Sequence, residues 1–180
     1  MSAAKRLVRR LDDAGDRWCE HLRRRRATRV VFGAASAVGD FSLVWHAIGL
    51  LRAIGSSQRL REALVLSLAL GAESLIVNQG IKKMFRRTRP TVSGDDRFSV
   101  RTPSTSSFPS GHASSAAFAA VLLTSFSGVA WAPLWCAIAV TVALSRIVVR
   151  IHHLTDIVAG LATGAVLGAV ALPLVTALAS

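Results

Sequence analysis

The sequence predicts an all-α, polytopic transmembrane helix bundle of about five spans, preceded by an amphipathic helix on the membrane surface. Hydrophobic residues make up 52% of the 180, and the mean hydropathy is +0.46. Five segments are apolar over lengths near the ~20 residues a helix needs to cross a bilayer core. The net charge of +12 flanks those segments. Such an excess points to nucleic acid or to an anionic membrane surface. A nucleic-acid-binding domain has no use for uncharged stretches of membrane-spanning length, so the membrane is the expected partner.

Residues 1–29 form a basic amphipathic N-terminal segment. Leu7, Val8, Leu11, Trp18 and Leu22 recur there at roughly helical spacing among many arginines, as in a helix lying on an anionic lipid surface. Residues 30–180 form the membrane domain. Its expected spans are Val30–Leu51, which carries Asp40 and His46, and Ala63–Gly80, which carries Glu73 and Asn78. Ala113–Trp131 is uncharged, and Ala132–Val149 is apolar until Arg146. Ile157–Ala179 is uncharged, with Gly160, Gly164 and Gly168 suited to close helix packing. Cys19 and Cys136 have no metal spacing and are expected as free thiols. No cleaved leader is expected, because the basic stretch is long and no short apolar core ends in a cleavage site.

Residues 81–111 form a long polar loop, which in a small domain is usually functional or disordered. Ser93–Ser107 is expected to be mobile, while both ends carry chemistry. The loop opens with Lys82 and runs to Arg89-Pro90, and it closes with Pro109-Ser110-Gly111-His112 at the start of a span. Lys82 supplies a point charge and Arg89 a planar fork for phosphate oxygens. Ser110 and Gly111 stand where free backbone N–H groups and the positive end of a helix attract anions. His112 is placed to give a proton to a leaving oxygen. Nearer the C-terminus, Ser145-Arg146 is followed by His152 and Asp156. On a helix, i and i+4 share a face, so Asp156 can hold one ring nitrogen of His152 and leave the other free to attack. Arg146 lies within reach of an anion bound there.

These three motifs, in this order and spacing, resemble the type 2 phosphatidic acid phosphatase superfamily. The resemblance covers about residues 60–170. It implies that His152 attacks phosphorus to form a phosphohistidine and that Asp156 orients His152. It implies too that His112 protonates the leaving alkoxide and then activates water. Lys82, Arg89, Ser110, Gly111 and Arg146 would hold the equatorial oxygens. No metal or other cofactor is required by this scheme. The adjacent Asp95 and Asp96 lie between the motifs and make no Mg²⁺ cluster.

The expected activity is therefore an integral-membrane lipid phosphatase of a bacterial-type plasma membrane. Its substrate is a membrane lipid: phosphatidic acid, phosphatidylglycerol phosphate, a polyprenyl pyrophosphate or a polyprenyl-linked sugar phosphate. The alternative is a non-catalytic lipid-phosphate-binding or scaffold protein, which would tolerate loss of His112 or His152. A vanadium haloperoxidase would share the phosphate-site geometry but is a larger soluble protein. His153 is expected off the catalytic face, and Lys83, Arg86 and Arg87 as membrane-facing or topology charges. Arg150 is placed to touch a headgroup, and Asp40, His46 and Glu73 are expected to pair with one another or with Lys or Arg near the site. Nineteen of the 22 Lys and Arg fall on the side of residues 1–29 and the site, and only Arg52, Arg59 and Arg61 on the other. With five spans this places the site at the cytoplasmic face. Many bacterial members of the family have six spans and an outward-facing site, so the reading depends on Val30–Leu51 crossing the membrane once.

Overall fold

The structure, a computed structural model, describes residues 2–91, 97–98 and 105–180. The Asp95–Asp96 pair, and most of the stretch expected to be mobile, lie outside these residues. Among the described residues every regular element is helical. Helix α1 (Ala3–Arg23) begins at Ser2, whose hydroxyl accepts from the Lys5 N–H at 3.3 Å. Its outer face exposes Leu7, Leu11 and Trp18, while Asp12, Gly15, Cys19 and Arg23 are buried against the bundle. The amphipathic pattern thus separates an outward apolar and basic surface from a short inward stripe.

Helices α2 (Arg26–Gly39) and α3 (Leu43–Ala53) replace the expected continuous span Val30–Leu51. They are separated at Asp40–Ser42, where Phe41 and Ser42 take φ of 52° and 59°. Two successive non-glycine residues in the left-handed region cost free energy and persist only where the surroundings hold them. The break lets α2 pack on α6 and α3 on α4. It also sets Asp40 against His112. Asp40 lies at the same end of the bundle as His112, and Gly49 of α3 faces Ala63 near the start of α4.

Helix α4 (Ser57–Leu75) returns to the site end, then widens into a π-type turn at Ile76–Gly80 and a 3₁₀ turn at Ile81–Met84 that carries Lys82. Helix α5 (Gly111–Ser127) stops earlier than Ala113–Trp131 predicted. Gly128 takes φ of 90°, and Val129–Trp131 leads instead into α6 (Ala132–Val148). Helix α7 (Leu154–Ala179) runs back to the far end, where the Ala179 carbonyl accepts from Gln58. Five passes, α2–α3, α4, α5, α6 and α7, therefore connect the two ends. Arg26–Ala53, Val129–Val148 and Leu154–Ala179 are long and apolar enough to cross a membrane, with α2–α3 taken as one kinked unit. Helix α5 is only 17 residues long, and α4 carries Arg59, Arg61, Glu62 and Glu73.

Lipid tails are as apolar as leucine, so contact between spans rests on close packing rather than on burial from water. Here α5 and α7 approach closely. A Cβ at Gly164 would lie 1.9 Å from the Ser114 carbonyl oxygen, and one at Gly160 would lie 2.5 Å from that of Ser110. A cluster around Trp45, Leu66, Leu70, Phe118 and Leu122 fills the far half. A second, with Cys19, Ala113, Ile147, Ile151 and Ile157, lies under the site. Both cysteines are free thiols. We expect Gly164→Val to force α5 from α7 and to destabilise the fold by about 1–3 kcal/mol or more, read as a lower unfolding temperature in detergent.

Candidate functional site

The site is built where the ends of α4, α5, α6 and α7 meet. The two ends of the 81–111 loop are tied to each other. The Ser107 N–H donates to the Arg87 carbonyl at 3.0 Å, the Ser107 hydroxyl donates to the Thr88 carbonyl at 3.1 Å, and the Arg87 N–H donates to Ser106 Oγ at 3.2 Å. The Phe108–Pro109 bond is cis. The Ser110 N–H donates to the Asp156 carbonyl at 3.0 Å, which joins the second motif to the third.

His152 is not on a helix with Asp156, as the i,i+4 spacing implied. It sits in the turn between α6 and α7, where Arg150 takes φ of 58°. Its N–H donates to the Arg146 carbonyl at 3.1 Å. Asp156 is the third residue of α7, and its Oδ2 accepts from the His153 N–H at 2.9 Å, closing the first turn as a capping box. The same oxygen lies 3.5 Å from His152 Nδ1, of ion-pair length but off hydrogen-bond alignment, and 3.2 Å from His153 Nδ1. His153 therefore shares the carboxylate instead of pointing away from it.

Arg89 reaches the turn from the loop. Its Nη1 donates to the Ile151 carbonyl at 3.1 Å and lies 3.2 Å from His152 Nε2. A guanidinium has no acceptor, so this contact requires the lone pair on Nε2 and puts the imidazole proton on Nδ1, toward Asp156. Burial pushes the His152 pKa down to about 3 against the opposing pull of Asp156, so the ring stays neutral at physiological pH.

A cavity of about 350 Å³ opens on this arrangement and is lined by Asp40, Lys82, Gly111, His112, Arg146 and His152. Arg146 is 1% exposed; its Nη1 donates to Ser36 Oγ, while Nε and Nη2 have no partner among the described residues. Two unpartnered donors on a buried cation call for an acceptor, and an oxyanion supplies it. Lys82 is buried, with its Nζ near Gly111. Burial, and then Arg89 and Arg146, lower its pKa to about 8. Asp156 and Arg89 meet His152 directly and are not cavity-lining residues. Ser110 caps α5 with its hydroxyl oxygen, which accepts from the Ala113 N–H at 3.5 Å, and its own N–H is taken by Asp156.

Several neighbours take partners that the sequence did not name. Asp40 Oδ1 lies 3.1 Å from His112 Nε2. Glu73 is buried and accepts from the Ser114 hydroxyl, and His46 Nδ1 lies 2.9 Å from Ser67 Oγ rather than beside an ion. Arg87, expected as a membrane-facing or topology charge, turns inward and pairs with both Asp156 and Asp12. Lys83 and Arg86 are exposed. Arg150 Nε lies 3.5 Å from Asp16 Oδ1 of α1. An intramembrane ionisable residue signals a site, which marked Asp40 and Glu73; Arg87 and Asp12 carried no such signal.

The family profile described as PAP2 superfamily matches residues 62–179. The chain is 38% identical over 136 residues to a decaprenylphosphoryl-5-phosphoribose phosphatase of Mycobacterium tuberculosis, covering 75% of this chain and 73% of that one. It is 37% identical over 130 residues to the protein of the same name from Mycolicibacterium smegmatis, covering 71% and 68%. Among solved structures, Aquifex aeolicus LpxE superposes with a TM-score of 0.67 at 20% identity, covering 93% of both chains. The PAP2-type phosphatidylglycerolphosphate phosphatase of Bacillus subtilis superposes with a TM-score of 0.65 at 23% identity, covering 92% and 84%. At these identities the two structures establish the fold.

Lys82 is a cation below its pKa and neutral above it. We expect sulfate, whose charge is constant across the range, to bind progressively more weakly as pH rises through about 8. Calorimetry should show that step in the parent protein and lose it in Lys82→Met.

Proposed function

The chain belongs to the PAP2 superfamily, and from that premise we propose that this membrane phosphatase removes the terminal phosphate of a polyprenylphosphoryl sugar phosphate through a phosphohistidine on His152. The observation that carries the reading is the placement of His152, with its Nε2 3.2 Å from Arg89 Nη1 and its Nδ1 3.5 Å from Asp156 Oδ2. The 38% identity to a decaprenylphosphoryl-5-phosphoribose phosphatase favours a sugar-phosphate headgroup on a polyprenyl carrier.

Lys82, Arg89, the N–H of Gly111 and Arg146 hold the phosphoryl oxygens, where charge develops in the transition state. His152 Nε2 forms a bond to phosphorus as the bond from phosphorus to the sugar oxygen breaks. His112 gives that oxygen its proton, and Asp40, beside Nε2 of His112, supports the protonated ring. In the second step His112 takes a proton from water as the water oxygen attacks phosphorus. Inorganic phosphate leaves, and His152 is regenerated. Asp156 steadies His152 throughout.

The tail has a matching path. A groove between α4 and α7, lined by Val65, Leu68, Phe118, Leu167 and Leu174, is almost wholly apolar. Glu73 lines both this groove and the polar cavity. A lipid can therefore lie along the groove from the bilayer while its headgroup turns in at Glu73.

Detergent-purified protein should release phosphate in the presence of chelator from a polyprenylphosphoryl sugar phosphate, and less from phosphatidic acid, phosphatidylglycerol phosphate and polyprenyl pyrophosphate. His152→Ala should bind the lipid and release none. Release by that variant sinks the nucleophile, and a preference for another lipid sinks the headgroup assignment. Silence of the parent protein on the whole panel favours a binding role.

We place the site at the cytoplasmic face, because α1, the loop and most Lys and Arg share one end of the bundle. With Cys19 and Cys136 replaced by serine, Thr91→Cys should resist an impermeant maleimide in intact cells and react once the membrane is opened. Labelling in intact cells reverses the orientation.

A further inference from the structure

Helix α1 lies outside the matched residues 62–179, yet it holds both ends of the turn that carries His152. At one end, Arg23 is fully buried. Its Nε donates to the Val148 carbonyl and its Nη2 to the Ile147 carbonyl, each at 2.8 Å, satisfying the last carbonyls of α6. At the other end, Asp12 Oδ1 accepts from the Thr155 N–H at 3.0 Å and from the Thr155 hydroxyl at 2.8 Å, capping the first turn of α7. Its Oδ2 pairs with Arg87 Nη2. Arg87 Nη1 in turn donates to Thr155 Oγ1 at 2.7 Å and to Asp156 Oδ1. The second oxygen of Asp156 is left for His152 and His153. Close packing fixes this register: a Cβ at Gly15 would lie 2.8 Å from Leu154 Cβ, so α1 sits directly on the start of α7.

We propose that Asp12, on the surface helix α1, is a positioning residue for the phosphatase reaction, acting through Arg87 on Asp156 and so on His152. Asp12 touches neither the cavity nor His152, and it is 7% exposed. It is the second carboxylate on Arg87. With it, the guanidinium is fixed between two anions and holds one oxygen of Asp156; without it, Arg87 is free to draw Asp156 out of line with His152. The proposal rests on His152 as the nucleophile.

The test is a double-mutant cycle on the full-length, detergent-purified chain, with rates normalised to the amount of protein that accepts phosphate on quenching. Asp12→Asn should lower kcat by about 10- to 100-fold, the scale of a small misplacement of reacting groups, with little change in KM. Asp12→Glu should recover part of the loss. Adding Asp12→Asn to Arg87→Ala should cost nothing further, because residues acting as a unit are not additive. A normalised kcat equal to the parent's, or losses that multiply, would overturn the proposal. If Asp12→Asn does not fold, Thr155→Val, which removes the hydroxyl that joins Asp12 to Arg87, takes its place in the cycle. If the parent protein releases no phosphate from any lipid, the substrate reading fails separately. Asp12 is then judged by ¹⁵N spectra of the histidines, in which Asp12→Asn should lower the share of His152 protonated at Nδ1. An unchanged spectrum refutes the positioning role.

Discussion

The carboxylate and carbonyl of Asp156 tie together parts of the chain that sequence keeps far apart. Its Oδ2 closes the first turn of α7 and faces His152, its Oδ1 receives Arg87 from the loop, and its carbonyl receives Ser110 from the start of α5. One fully buried residue therefore aligns a turn, a loop and two helices. A buried carboxylate without such partners would be costly to keep ionised. With them, it converts three separate motifs into one site. The cost of burying charge is also why the arrangement is specific: displacing any partner leaves another charge exposed to a poor environment.

The membrane imposes the second constraint. Helices that cannot gain by leaving lipid hold together through close backbone approach, and the Gly160 and Gly164 contacts with Ser110 and Ser114 do this for α5 and α7. The same contacts set the depth of the site, because Ser110 and Gly111 begin α5 directly above them. Packing in the apolar half thus determines where the anion-binding end of α5 stands relative to His152. Polar groups are concentrated at that end, and the far half is filled by aromatic and aliphatic residues.

Much of this was legible in the sequence. Apolar length indicated the all-helical bundle, the glycines of the last span suited close packing, and Lys82, Gly111, His112, Arg146 and His152 of the motifs line a single cavity. Three features were not legible. The break at Asp40–Ser42 depends on two non-glycine residues adopting left-handed backbone, which no local preference of Phe41 or Ser42 announces. The relation of His152 to Asp156 was read as helical periodicity, whereas a turn and a capping box produce it. Arg87 resembled its neighbours Lys83 and Arg86 in sequence; only the fold shows two carboxylates waiting for it. Periodicity reports which residues share a face, but not which long-range partner satisfies a charge.

Helix α1 gives that last point its functional meaning. By pattern it is a surface helix, with Leu7, Leu11 and Trp18 turned outward among arginines. By contacts it is part of the site's framework, through Asp12 on α7 and Arg23 on α6. The two faces are one rigid element, so the orientation α1 takes on an interface and the geometry of the turn at His152 cannot vary independently. An N-terminal segment outside the matched region is thereby drawn into the same set of charges as the family's own motifs.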